Sequence, residues 1–192
     1  MKKIIFILCL FLCAGSASAV NFDKKKNLVG LGLSYGGDNF GSAGADELNA
    51  GEDASLYYGR VLLSDNPATV QAAIGYKFDT VNASNGDVWF TRYPAELLTF
   101  YSFQSFRLGA GVSYHINPVY EEKLDISNNR VKFDNALGFL LQFDFFSHDF
   151  LSAGIRYENI TYDSPVFWLY SDGTIKKKFD GSSIGFNVNY HF

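Results

Sequence analysis

From about Leu28 onward, apolar and polar residues alternate with a period of two, in segments of about ten. Successive side chains of a β-strand point to opposite faces, so this period predicts strands whose two faces meet unlike surroundings. Eight such segments can be read. The first, about Leu28 to Tyr35, sets Val29, Leu31, Leu33 and Tyr35 against Gly30, Gly32 and Ser34. The second, about Ala54 to Leu63, sets Tyr57, Val61 and Leu63 against Arg60. The third, about Thr69 to Asp79, sets Val70, Ile74, Tyr76 and Phe78 against Gln71, Gly75, Lys77 and Asp79. The fourth, about Val88 to Tyr101, sets Trp89, Tyr93, Leu97 and Tyr101 against Arg92 and Glu96, with a bulge expected at Pro94 because proline has no N–H. The fifth, about Phe106 to Ile116, sets Leu108, Val112 and Tyr114 against Arg107, Ser113 and His115. The sixth, about Val131 to Phe145, sets Leu137, Phe139 and Phe143 against Asp134, Gly138, Gln142 and Asp144. The seventh, about Phe150 to Tyr162, sets Ile155 and Tyr157 against Gly154, Arg156 and Glu158. The eighth closes the sequence at Ser183 to Phe192.

The gaps alternate in length. Those near residues 64–68, 102–105 and 147–149 are short, whereas 36–53, 117–130 and 163–180 are long and 80–87 is intermediate. An even number of alternating segments with short turns at one end and longer loops at the other predicts an all-β, eight-stranded, antiparallel up-and-down barrel.

Alternation alone does not say which face is outside, since a soluble barrel has the same period with its apolar face inward. Three features favour an apolar exterior. No Lys, Arg, Asp or Glu falls on the apolar face as these segments are phased, and a cation there costs about 2–4 kcal/mol at a bilayer midplane. The polar face is rich in glycine, which weakens an exposed strand but makes room inside a narrow barrel. Aromatics, 17% of the chain, gather near strand ends, as girdles at two membrane interfaces do.

The start of the chain fits export. Lys2 and Lys3 precede an apolar run from Ile4 to Ala14, and Ala17-Ser18-Ala19 supplies small residues. Residues 1–19 are expected to be a signal peptide and residues 20–192 the barrel domain, because the run is too short for the roughly 20 residues of a spanning helix. Cys9 and Cys13, the only cysteines, lie in this leader, so the exported chain has no thiol for disulfides, metals or catalysis. Losing two lysines takes the formal charge from −4 to −6, which offers no basic footprint for nucleic acid.

The last strand carries the most specific pattern. Ser183, Gly185, Val188, Tyr190 and Phe192 form a spaced series ending on an aromatic. It resembles the C-terminal assembly signal of bacterial outer-membrane β-barrels. The whole of residues 20–192 resembles in architecture the small eight-stranded Gram-negative outer-membrane proteins of the OmpA-domain and OmpX type. That resemblance implies residence in the outer membrane, contact with its lipid and lipopolysaccharide, engagement of the assembly machinery, and a monomer that can present its loops to an extracellular ligand or surface.

Inside such a barrel the polar face places Arg60, Lys77, Arg92, Arg107 and Arg156 with Asp79, Glu96, Asp134, Asp144 and Glu158. An eight-stranded interior is just wide enough for side chains to fill, and buried charges must be paired. The balance predicts an ion-pair plug; a charge-lined, porin-like narrow channel is the alternative, although a selective pore would carry an excess of one sign. A lipid-modifying enzyme is a further alternative. Its only candidate base is His115, which is expected inside with Ser113, so no catalytic activity is expected. No cofactor is implied. Asp38, Asp46, Glu47, Glu52 and Asp53 lack the spacing of a calcium loop, so no metal site is expected.

The last long connection stands apart. Phe167, Trp168 and Tyr170 lie in an apolar run, an Asp-Gly turn follows at Asp172-Gly173, and Lys176, Lys177 and Lys178 come next. Either the flanking strands continue outward as a ribbon, or this is a sticky edge for recognition, its lysines suited to lipopolysaccharide phosphates.

Overall fold

The computed structural model describes residues 25–43, 46–83, 86–124, 127–164 and 177–192. The expected signal peptide therefore lies outside the described residues, as do Phe167, Trp168, Tyr170 and Lys176; of Lys177 only the backbone is described.

Thirteen strands are present among the described residues: β1 (Asn27–Gly36), β2 (Asn39–Ala43), β3 (Asp46–Asn49), β4 (Asp53–Asp65), β5 (Ala68–Ala83), β6 (Gly86–Ser102), β7 (Phe106–Leu124), β8 (Ser127–Lys132), β9 (Ala136–His148), β10 (Leu151–Asn159), β11 (Thr161–Ser164), β12 (Lys177–Asp180) and β13 (Ser183–His191). Eight of them close on themselves in the order β6-β5-β4-β1-β13-β10-β9-β7, with β7 returning to β6. Every pairing is antiparallel, from Leu28↔His191 between β1 and β13 to Ser102↔Arg107 between β6 and β7. Closure leaves the wall without a free edge, which lets strands cross hydrocarbon with every backbone group paired.

The turns at β4–β5, β6–β7 and β9–β10 are short, and Asn27 and Phe192 meet at that same end through reciprocal backbone hydrogen bonds of 2.9 Å. At the opposite end the wall rises further. β8 pairs with the upper part of β7, β11 pairs with β12 as a continuation of β10 and β13, and β2 pairs with β3 as a separate hairpin.

The faces are inverted relative to a water-soluble barrel. Leu31, Leu33, Ile74, Leu137 and Phe139 are each at least 60% exposed on the outer wall, while Arg92, Arg107, Asp144 and His115 are at most 1% exposed inside. A large aliphatic or aromatic side chain gains about 1.5–3 kcal/mol on leaving water. A wall built this way needs an apolar solvent.

The second segment is phased opposite to the expectation. Tyr57 and Val61 point inward and are buried, whereas Arg60 is exposed on the outer wall beside Leu56, Tyr58 and Leu62. The register against β5 shifts between Val61 and Leu63. One extra residue in a strand moves every side chain before it to the other face. Leu63, beyond the bulge, does face outward and is 67% exposed, so a phase set by Leu63 places Arg60 on the wrong side.

Asp134 is a second correction. Regular β9 begins at Ala136, and Asp134 is exposed in the connection from β8. At Pro94 the β5–β6 ladder skips from Ile74↔Ala95 to Lys77↔Arg92 without changing register, as the missing N–H requires. The bulge near it sits instead in β7, where Asn117 adopts a φ of 50° and the register against β6 shifts between Thr91 and Tyr93.

Candidate functional site: the closed interior

Inward side chains stack in tiers. At the floor, near the short turns, Leu98, Phe100 and Leu140 pack together, and Val61 meets Phe146. Asn189 donates to Ser152 Oγ at 3.1 Å, and that hydroxyl lies 3.0 Å from His191 Nε2.

Above this lies the pair Arg107 and Asp144, both fully buried. Arg107 Nε and Nη2 each reach Asp144 Oδ2 at 2.8 Å. The carboxylate also accepts from Gln142 Nε2 at 2.8 and 2.9 Å and from Asn187 Nδ2 at 3.1 Å. The guanidinium lies 3.8 Å from the Phe100 ring centroid, a cation–π contact that adds to the ion pair.

The middle tier is centred on Arg156. Nη1 donates to Glu96 at 2.9 Å, while Nε and Nη2 donate to Gln142 Oε1 at 2.9 and 2.7 Å. Tyr57, over whose ring Arg156 sits at 5.1 Å, donates its hydroxyl to Asn189. A cavity of about 20 Å³ adjoins this tier, lined in part by Ser34, Ser55, Lys77, Glu158 and Ser183. That is room for about one water.

The upper tier joins Asp53, Lys77, Arg92, His115 and Glu158. Lys77 Nζ lies 2.6 Å from Glu158 and 3.4 Å from Asp53, and Arg92 Nη2 lies 2.6 Å from Asp53. His115 Nε2 is 3.0 Å from Glu158, and its Nδ1 is 2.6 Å from the Tyr162 hydroxyl. A neutral imidazole satisfies both contacts only by donating from Nε2 and accepting at Nδ1. His115 thus sits within the network, between Glu158 and Tyr162.

Glycines keep these tiers compact. A methyl group at Gly30 would come within 2.3 Å of the Tyr57 ring, one at Gly109 within 2.4 Å of Phe100, and one at Gly154 within 2.3 Å of Asp144 Oδ1.

Over the polar tiers sits an aromatic cap. Phe90 and Tyr162 are its underside: the Arg92 guanidinium lies 4.5 Å from the Phe90 centroid, and the Phe90 and Tyr162 rings meet edge-on at 5.4 Å. Above them the β2–β3 hairpin turns over the mouth. Gly36, with φ of 142°, and Gly37, with φ of 82°, make that turn, in conformations a side chain rarely adopts. The hairpin brings Phe40 within 4.8 Å of Phe90, 4.9 Å of Phe179, 5.3 Å of Phe133 and 5.8 Å of Tyr120, ring centre to ring centre. Leu48, Ala50, Val81, Val88, Ala136 and Ile160 complete the buried cluster, with Val131 packed against it. Asp38 ties the hairpin to β12, its N–H donating to Asp180 O at 2.7 Å and its Oδ2 accepting from Asp180 N at 2.8 Å. Outside the membrane span, Tyr120 donates to Glu122 at 3.2 Å, and burial together with that carboxylate pushes its phenol above the ordinary value.

Lys77, Arg92, Glu96, Arg107, His115, Asp144, Arg156 and Glu158 are thereby brought together inside the barrel. Asp79 also turns inward, but it is half-buried above the pairs, with Oδ1 accepting from Thr80 N at 2.8 Å. Arg60 and Asp134 are outside. Ser183 and Gly185 face the interior; Val188, Tyr190 and Phe192 face outward. Lys178 is exposed on β12. Asp53 is absent from the predicted network, yet it bridges Lys77 and Arg92. No group of three or more His, Cys, Asp or Glu side chains among the described residues could hold a metal ion.

No protein-family model and no curated protein sequence matches the chain. Among solved structures, the fold is similar to Ail, the attachment invasion locus protein of Yersinia pestis, in complex with the heparin analogue sucrose octasulfate, at 12% identity and a TM-score of 0.56, covering 88% of this chain and 97% of that one. It is also similar to Neisserial surface protein A, at 14% identity and a TM-score of 0.53, covering 86% of this chain and 97% of that one. The chain has the fold of a small eight-stranded outer-membrane β-barrel.

Proposed function

We propose that this protein is a non-conducting, non-catalytic barrel of the outer membrane that acts through its long-loop end. The short turns face the periplasm and the β2–β3, β7–β8 and β11–β12 extensions face outward. The observation that supports this reading is a paired polar network beneath an aromatic cap. Such an interior holds the wall in register and offers no continuous water path. It also withholds His115 from lipid, since that side chain is sealed under Phe90 and Tyr162. What remains for interaction is the outer rim, where β11 and β12 pair at the base of the connection whose sequence carries Phe167, Trp168 and Tyr170. Lys178, exposed on β12, adds a basic side chain beside it.

Replacing Phe167, Trp168 and Tyr170 together by Ser tests this reading. Binding of expressing cells to host matrix or lipopolysaccharide-coated surfaces is expected to fall to background, with unchanged heat-modifiable mobility. Binding equal to wild type on every surface tried, with folding intact, would overturn the interaction role.

A further inference from the structure

Arg60 is the one charged side chain on the outward face of β4 from Ala54 to Leu63, beside Leu56, Tyr58 and Leu62, with exposed Asp65 at the strand's end. Its register partners are Asn27 on β1 and Ala72 on β5. It makes no ion pair among the described residues, although Arg92, Arg107 and Arg156 inside all do. A guanidinium on a lipid-facing wall is tolerated near the interface and costs energy deeper in, so its placement next to the start of β1 is where a headgroup would meet it.

The surroundings supply further donors. Tyr58 donates its hydroxyl to Asn27 Oδ1 at 2.8 Å, which fixes the amide and leaves its NH₂ group as a donor beside Arg60. The side chain of Ala72, on the other flank, is too short to cover the guanidinium. Lys25, two residues before Asn27, holds its Nζ 5.3 Å from the Phe150 centroid, on the β13–β10 side of the same rim. Tyr58, Tyr190 and Phe192 are exposed along this seam, as aromatic anchors at headgroup level are. Val29, Leu31 and Leu56 continue the wall toward the membrane centre with apolar surface for acyl chains.

We infer that Arg60 and Asn27 form a phosphate-binding site for an anionic glycerophospholipid of the periplasmic leaflet. The planar guanidinium matches two phosphate oxygens at once, and the Asn27 amide reaches a third. The inference rests on the membrane orientation proposed above. It turns the residue whose face the bulge inverted into the anchor of the barrel at its inner interface.

The test uses wild type, Arg60→Gln and Arg60→Lys in vesicles of phosphatidylcholine mixed with phosphatidylglycerol, with retained lipid read by native mass spectrometry after gentle release. Wild type is expected to retain phosphatidylglycerol over phosphatidylcholine. Arg60→Gln should lose that retention about tenfold, as loss of a hydrogen-bonded charge pair implies, and Arg60→Lys should fall between. Equal retention by wild type and Arg60→Gln overturns the site. So does a preference for lipid A supplied in parallel, or occupancy by inorganic phosphate alone. Protease protection of the same vesicles separates the two readings. A wild type that fails to insert overturns the membrane reading and the site with it, whereas insertion with equal retention overturns the site alone.

Discussion

Replacing Arg107 by Met removes one half of the most enclosed ion pair in the barrel. Both partners are fully buried, and the Asp144 carboxylate would keep only the amide donors of Gln142 and Asn187. Breaking a buried pair in this way typically costs about 3–5 kcal/mol, because a charge is left uncompensated in a low dielectric. Changing Asp144 to Asn in the same molecule removes that charge while keeping an oxygen acceptor for the two amides. The double variant is therefore expected to lose only about 1–2 kcal/mol. The two substitutions should couple by at least about 2 kcal/mol, well outside the roughly 0.5 kcal/mol within which independent sites add. Urea unfolding in phospholipid vesicles, read from the folded and unfolded gel bands, supplies the three free energies needed. A double variant that loses the sum of the single losses would refute the idea that pairing, rather than packing alone, holds this tier.

Phe40→Ala should lower the unfolding midpoint and speed amide exchange in β2 and β3, because its ring links four others across the mouth; the cost should fall below the roughly 3–5 kcal/mol of a fully enclosed Phe. Conductance should stay closed in that variant, since the polar tiers beneath are untouched. Phe192→Asp should leave the protein in the periplasm as a degraded species, and normal heat-modifiable mobility and surface exposure would contradict the assembly role.

Most of the wall is legible in the sequence, because lipid outside and polar groups inside impose opposite demands on alternate residues. Segments such as Thr69 to Asp79 and the terminal strand carry that pattern without interruption, and the structure places their side chains on the faces the pattern assigns. Phase fails where a single inserted residue leaves composition unchanged, as at the bulge between Val61 and Leu63. In hindsight Leu56, Tyr58 and Leu62 carry the outward apolar series, opposite Gly59 and Val61. The cap was less legible still. Phe40 is an isolated aromatic in a stretch of Gly, Asn and Asp, and its partners come from β6, β12 and the β7–β9 region. Asp53 was hidden in the same way, reading as one acid among several in a loop although it opens β4 and faces inward. Local pattern reports the period of a strand; contacts between distant strands depend on closure of the whole barrel.

The central claim, a lumen closed by paired charges below and aromatic rings above, is tested most directly by single-channel recording of the folded wild-type protein in planar bilayers. No steady conductance above that of protein-free bilayers is expected across the accessible voltage range. A stable, reproducible open level in the wild type would contradict it.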